Sequence, residues 1–206
     1  MARKTKQDAQ KTRDAILDCA VRIFAEKGVA ATSLREIAAA ADVTRGAIYW
    51  HFNNKTEIFD ALHNRLYQPV TEMILEDLEK DHPAPLEQMK DLCLRFLLDL
   101  ENNEQKRQAL NLFLFKCDYS GDLAAYKKQH EARQTENLRL FSRYFEKARD
   151  KNSLSPSADP EILTLSTHCY MKGILLEYLN DPAKFNIKDK APKLIGLFFE
   201  NNALSH

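Results

Sequence analysis

The stretch TSLREIAAAADVTRGAIYWHFNNK, residues 32–55, decides the fold class of this chain. Ser33 and Glu36 stand three residues apart, which is the S-x-x-E spacing of a capping box that opens a helix. The apolar run behind them is short, and Asp42 ends it. The first half of the stretch therefore predicts one short helix.

The second half predicts another short helix, which Thr44 caps and which Val43 and Ile48 flank as a hydrophobic staple. Ala38 supplies the small residue where the two helices cross. Asp42 occupies the turn, where glycine is usual, because aspartate visits the left-handed region more readily than most residues. Two short helices joined by a tight turn are a helix-turn-helix.

A longer helix is predicted before this unit, from about Asp8 to Lys27, and Gly28 stops it. Its apolar residues recur at spacings of three and four, which builds one buried stripe. The stripe consists of Ile16, Leu17, Ala20, Val21 and Phe24.

The third helix carries side chains that a core does not need. If Ile48 and Phe52 pack inward, Arg45 and Tyr49 face outward beside Gly46. Arginine can bind guanine through two hydrogen bonds, and Gly46 lets the backbone approach DNA closely. Polar side chains of the same helix can reach phosphates. The candidate phosphate contacts are Thr44, Tyr49, His51 and Lys55.

Other residues near this face have two interpretations. Trp50 is expected to be buried, since large aromatics mostly are, and Tyr49 and His51 could be half-buried spacers. Arg35 reads a base or meets only solvent, and Ser33 is a further candidate contact. A basic arm, expected to become ordered on DNA, contains Arg3, Lys4 and Lys6.

Charge is distributed unevenly along the 206 residues. Residues 1–55 contain 10 Lys and Arg against 6 Asp and Glu, whereas the rest contains 20 against 24. The basic first quarter indicates an anionic partner. With 5 Gly, 7 Pro and 44% hydrophobic residues, the composition favours a soluble, helical, cytoplasmic protein.

No catalytic or metal site is predicted, and no cofactor. The four cysteines have no CxxC spacing, and the histidines are scattered, so we expect buried free thiols and no enzyme. No apolar run is long enough for a membrane span.

Breaks at Pro85 and Pro160 separate further helices, and the fold class is all-α. We divide the chain into domains 1–55 and 56–206.

The second domain is predicted to hold a ligand pocket. The segment LNLFLFKC, residues 110–117, is too apolar for a surface helix. The helix over 122–150 has a stripe with polar residues in its middle, which indicates a pocket, a structural hydrogen-bond network or an exposed stretch. The candidate ligand contacts in these segments and before them are Phe96, Leu110, Phe113, Leu114, Cys117, His130, Gln134, Asn137 and Phe141.

His168 and Lys172 lie four apart and share one helix face. A cation inside an apolar cavity would favour amphipathic ligands with an acidic group, such as bile-acid-like or fatty-acid-like molecules. A surface ion pair of Lys172 is the alternative.

The last helix, 190–203, is apolar on several sides, which predicts burial by a partner subunit in a symmetric dimer. Gly173 and Gly196 indicate close helix packing in the last two helices.

Residues 8–66, and most specifically TSLREIAAAADVTRGAIYWHFNNKTEIFDAL, closely resemble the DNA-binding domain of TetR-family repressors, with TRGAIYWHF most like the AcrR-type branch that controls multidrug efflux. The resemblance implies a three-helix DNA-binding domain and a larger ligand-binding and dimerisation domain, joined as a homodimer through the last two helices. It also implies DNA contacts at Thr44, Arg45, Gly46, Tyr49, His51 and Lys55.

The function predicted on this basis is a ligand-responsive repressor of a multidrug or bile-compound efflux system. A small amphipathic inducer would release it from a palindromic operator in double-stranded DNA. A helical adaptor that binds protein is the alternative, although it leaves the surface of Arg45, Tyr49 and Lys55 unexplained.

Overall fold

The computed structural model describes residues 6–80, 82–117, 119 and 121–203, and within them it contains helices and no strand. The all-α prediction is confirmed. The α-helices are α1 (Lys6–Lys27), α2 (Leu34–Ala40), α3 (Arg45–His51), α4 (Lys55–Glu79), α5 (Pro85–Asp99), α6 (Glu104–Asn111), α7 (Ala124–Asp150), α8 (Pro160–Asn180) and α9 (Ile187–Ala203). Leu112–Lys116 forms a π-helix and Gly121–Leu123 a 3₁₀ turn.

The short helices begin where the caps predict. The backbone N–H of Glu36 donates to Ser33 Oγ at 3.2 Å, and the Ser33 N–H donates to the Glu36 carboxylate at 2.9 Å, so the capping box is complete. Thr44 caps α3 by accepting from the N–H of Ala47 at 3.1 Å. Asp42 has a φ of 51° in the turn, as its position predicts.

The chain divides into two compact units. The first contains the described residues up to Tyr67 together with Gln105–Gln129, and the second contains Gln68–Glu104 and the described residues from His130 onwards. Helices α4 and α7 contribute to both units, so this grouping does not follow the division at residue 55. The domains 1–55 and 56–206 stay a prediction.

The first unit has its core on one side of α1. The predicted stripe is buried along its whole length, and Gly28 ends the helix with a φ of 79°. Arg65 of α4 is tied to Asp18 of α1 by an ion pair of 2.7 Å. The π-helix packs against α1. The apolar residues that join the stripe in this core are Ile37, Ile48, Phe52, Ile58, Phe59 and Leu62.

The second unit is built mainly on the packing of α5 against α9. Met89 and Leu97 of α5 are fully buried, as are Ala191 and Ile195 of α9. Tyr178 of α8 donates from its hydroxyl to the carbonyl of Leu100 at 3.3 Å. Helix α9 is therefore amphipathic within its own unit, with one face in this core.

We expect the stability of the helix-turn-helix to fall in acid because of Glu36. The N–H of Ser33, followed by the ammonium of Lys27 at 3.0 Å, lowers the pKa of Glu36 from 4.5 to about 2. A lowered pKa stabilises the folded state above pH 4.5, and this contribution disappears as the pH falls towards 2. Glu36→Gln keeps the capping hydrogen bonds and loses the charge, so it removes this pH dependence.

The measurement is the midpoint of thermal unfolding of both proteins between pH 7 and pH 2. We expect a constant difference at neutral pH that shrinks to zero in acid. A difference that stays constant to the lowest pH contradicts the assignment.

Candidate nucleic-acid interface

Helix α3 has one buried and one exposed face. Ile48 and Phe52 are buried, whereas Thr44, Arg45 and Gly46 are exposed and Tyr49 is half-exposed. The guanidinium of Arg45 lies 5.6 Å from the centre of the Tyr49 ring, a cation–π distance. The outward face therefore presents a cation held over an aromatic ring at the start of a helix.

A groove between α2 and α3 brings four of the candidate residues together. Ser33 and Arg35 line it from α2, and Arg45 and Tyr49 line it from α3. Arg35 is exposed, whereas the hydroxyl of Ser33 is engaged in the capping box. Two guanidinium groups opening on one groove can bind an anion or the edge of a base.

The expected burial of Trp50 is wrong, because the side chain is 73% exposed. Ile48 and Phe52 already occupy the inward positions of this short helix, and residue 50 lies between them on the other side. Its ring packs edge-on against His51, with 4.5 Å between ring centres. Sequence reasoning missed that Trp50 belongs to the exposed face of α3, although its position between two inward residues was a signal of this.

His51 and Lys55 are half-buried, unlike the other candidates. His51 lies between the rings of Trp50 and Phe52. The ammonium of Lys55 donates to the carbonyls of Ala30 and Thr32, at 2.9 and 3.4 Å. Phosphate contact by either stays a prediction.

Lys6 is the first residue of α1, and Arg3 and Lys4 of the basic arm lie outside the described residues.

The ligand candidates fall into both compact units, and each group is described by itself. In the first unit, Leu110 and Phe113 are buried and Leu114 and Cys117 are half-buried. Phe113 packs on Phe59, with 5.0 Å between ring centres. The interior position predicted for residues 110–117 is confirmed at Leu110 and Phe113 and is wrong at Phe115, which is 46% exposed. Contact with a ligand stays a prediction.

In the second unit, the expected stripe on α7 is wrong at Gln134, which is exposed. Asn137 accepts a hydrogen bond from the hydroxyl of Thr71 at 3.3 Å, so a structural hydrogen bond accounts for this polar residue. Nearer the end of the helix the predicted stripe is confirmed at Phe145 and Ala148, which are buried, and Leu140 and Tyr144 are buried beside it. The half-buried candidates are Phe96, His130 and Phe141.

Lys172 is exposed, which contradicts a cation inside a cavity of its own unit. Helix α8 turns Thr164, Thr167 and Ile174 inward, and Lys172 belongs to the opposite face. Burial, followed by the charge of Lys172, lowers the pKa of His168. Burial likewise lowers the pKa of His130. Both imidazoles therefore favour the neutral form.

Other classes of site receive no support from the described part of the chain. It contains no group of three metal-binding side chains, and none of its helices is long and apolar enough to cross a membrane.

Two models of known protein families match this chain. The sequence model "Bacterial regulatory proteins, tetR family" matches residues 16–62, and "MAATS-type transcriptional repressor, C-terminal region" matches residues 84–202. The HTH-type transcriptional regulator AcrR of Shigella flexneri is 31% identical over 200 residues, which cover 97% of this chain and 93% of the relative.

Two solved structures of repressors are similar over nearly the whole chain. NalD, the secondary repressor of the MexAB-OprM multidrug efflux pump in Pseudomonas aeruginosa, has a TM-score of 0.82 at 33% identity and covers 98% of this chain and 100% of its own. SmeT, the repressor of the Stenotrophomonas maltophilia multidrug efflux pump SmeDEF, in complex with triclosan, has a TM-score of 0.82 at 28% identity and covers 93% and 91%.

We expect substitutions at Gly46 to separate folding from DNA binding. A Cβ built there meets only Thr44 Oγ1 at 3.9 Å, so the protein itself has room for a side chain. Gly46→Ala should stabilise the helix by up to about 1 kcal/mol and weaken duplex binding. Gly46→Leu should fold normally and abolish binding.

Thermal unfolding and fluorescence anisotropy of a labelled duplex measure the two effects separately. Binding of Gly46→Leu with wild-type affinity would show that the backbone of α3 does not approach DNA at this residue.

Proposed function

Because this chain belongs to the TetR family of bacterial regulatory proteins, we propose that it is a ligand-responsive transcriptional repressor of a multidrug-efflux operon. The family consists of DNA-binding transcriptional regulators, and the similar proteins NalD and SmeT are repressors of multidrug efflux pumps. For this chain, both the efflux operon as its target and the response to an inducer are proposed.

One observation carries the DNA-binding part of the proposal. The groove between α2 and α3 is lined by Arg35 and Arg45, and among the described residues neither guanidinium forms an ion pair with a carboxylate. A cation in the first turn of a helix is disfavoured by the helix dipole, and Arg35 and Arg45 both occupy first turns. An anionic partner outside the chain offsets this cost, and the phosphates of DNA supply it.

The test uses a duplex selected from a random pool of pseudo-palindromes. Trp50 is the sole tryptophan and is exposed beside the proposed contacts, so its fluorescence reports duplex binding. The logarithm of the binding constant should fall with the logarithm of salt concentration by about 0.9 for each phosphate neutralised. An adaptor that binds protein would select no duplex and show no such slope.

We propose that the dimer has one state that binds DNA and another that does not, and that the inducer binds the second state better. A ligand shifts this equilibrium by no more than the difference between its affinities for the two states. SmeT has been solved in complex with triclosan. Triclosan and a bile acid are therefore the first inducers to test. Release of the selected duplex by either supports the ligand response. Because Lys172 is exposed, Lys172→Ala should leave the potency of both ligands unchanged.

The proposed homodimer forms through α8 and α9. Ile162 and Leu165 of α8 are 57% and 52% exposed, and Leu197 of α9 is 58% exposed. These side chains lie opposite the faces that α8 and α9 bury in their own unit. A second copy of the chain would remove them from water in one symmetric contact. Two copies of α3 one DNA turn apart, about 34 Å, would then bind a pseudo-palindrome.

We expect Leu165→Glu and Leu197→Glu to yield folded monomers, because each would place a carboxylate at the centre of the apolar contact. Loss of the second binding module should weaken operator binding by about a hundredfold or more. Leu75→Glu is the matched control, since Leu75 is an exposed leucine on α4. Sedimentation velocity measures the assembly, and dimers of all three variants would place the contact elsewhere.

A further inference from the structure

Arg13 of α1 stands at a position where the helix pattern predicts an apolar residue. It lies three residues before Ile16 and four before Leu17, so it continues the buried stripe of α1 towards the N-terminus. Its side chain is half-buried. This is the burial of a long basic side chain whose stem covers apolar surface while its charged head stays in water. The head of Arg13 is therefore confined to the edge of the core of the first unit.

At that edge the head of Arg13 lies over the ring of Phe52, the C-cap of α3. The guanidinium carbon is 5.1 Å from the centre of the ring, which is a cation–π distance. The ring is itself fixed, because Phe52 is 3% exposed and its N–H donates to the carbonyl of Ile48 at 2.9 Å. A cation–π contact uses the flat face of a guanidinium and leaves the N–H groups, which lie in its plane, available for hydrogen bonds.

The donors of Arg13 are not used within the described part of the chain. A guanidinium carries five N–H donors and no acceptor. Among the described residues, none accepts a hydrogen bond from Arg13 and no carboxylate forms an ion pair with it. The guanidinium of Arg65, by contrast, is paired with Asp18 at 2.7 Å. Arg13 is thus a cation held in one place with its hydrogen-bonding edge open to a group outside the chain.

This cation lies at the end of α3 that is opposite to Arg45. Arg45 begins the helix and Phe52 caps its other end, and seven residues of helix span about 10 Å. A helix that enters the major groove lies between two phosphate backbones, and at least half of the hydrogen bonds in protein–DNA complexes go to phosphates and sugars. A guanidinium beside the far end of α3 is therefore placed for the backbone of DNA and not for the edge of a base.

We propose that Arg13 binds a DNA phosphate beside the end of α3, with Phe52 holding its guanidinium in the orientation that this contact needs. Helix α1 thereby adds a contact from outside the helix-turn-helix. An arginine binds a phosphate through two parallel hydrogen bonds, and a group that is held in place before binding loses little freedom when they form. This inference rests on the proposed function, because it concerns the same DNA complex. A contact with Phe52 that serves only the fold is the alternative outcome of the test.

The experiment compares wild type, Arg13→Met and Arg22→Met on the selected duplex over a range of salt concentrations. Arg13→Met keeps an unbranched stem over Phe52, and it should bind about tenfold more weakly for each bound subunit, with a salt slope smaller by about 0.9 per subunit. Arg22→Met is the matched control, because it removes the same charge from α1 at a guanidinium that donates to Cys19 Sγ at 3.3 Å. Its slope should equal that of wild type.

Two results overturn the proposal: a wild-type slope in Arg13→Met, or an equal loss of slope in Arg22→Met, which would be a general effect of net charge. Failure of wild type to bind any duplex would instead overturn the proposed function.

Duplexes with one neutral phosphate locate the contact. A methylphosphonate is placed at each position in turn, and the loss of affinity is measured for wild type and for Arg13→Met. One position in each half-site should weaken wild type and have no further effect on Arg13→Met, which is the coupling expected of two groups in contact. Equal losses in both proteins at every position contradict the assignment.

Thermal unfolding shows whether Arg13→Met keeps its fold. If it does not fold, the wild-type protein with ¹⁵N-labelled arginine answers the question, with Arg13→Lys assigning the guanidinium signal. A coupling between a guanidinium nitrogen of Arg13 and a phosphate phosphorus in the complex supports the proposal. A signal that keeps its position when the duplex binds overturns it.

Discussion

The burial of Ile48 and Phe52 on one side of α3 is the constraint on which the interface depends. A helix of seven residues is not stable by itself, so its packing determines both that it exists and which way it faces. With these two side chains inward, Arg45 and Tyr49 have only the outward direction left. The chemistry of the exposed face is thus a consequence of two apolar residues that never meet a partner molecule.

The same logic applies to the surfaces that the described residues leave uncovered. Of their seven large apolar side chains that are exposed, five lie on α3 or on α8 and α9. Those on α3, Tyr49 and Trp50, stand among cations, whereas Ile162, Leu165 and Leu197 stand on apolar helix faces. The first setting suits a polyanion with flat bases, and the second suits another apolar face.

The sequence was sufficient for features that local rules control. Caps, the stripe of α1 and the turn at Asp42 depend on residues within four positions of each other, so spacing alone predicted them. Trp50 was assigned wrongly because average burial was applied to a helix too short to bury a third large residue. The acceptors of Lys55 are backbone carbonyls more than twenty residues away, and no side-chain pattern reveals them. On α7 one periodic stripe was extended along a helix that contributes to two compact units.

The capping box of α2 also has an electrostatic side. It places a carboxylate at Glu36, one residue from Arg35 and therefore close to a surface proposed to meet phosphates. A bare carboxylate there would repel DNA. Lys27 approaches it to 3.0 Å and compensates its charge, so the helix retains its starting signal while the surface stays acceptable to a polyanion. A residue in the last turn of α1 thereby makes the folding requirement of α2 compatible with its binding task.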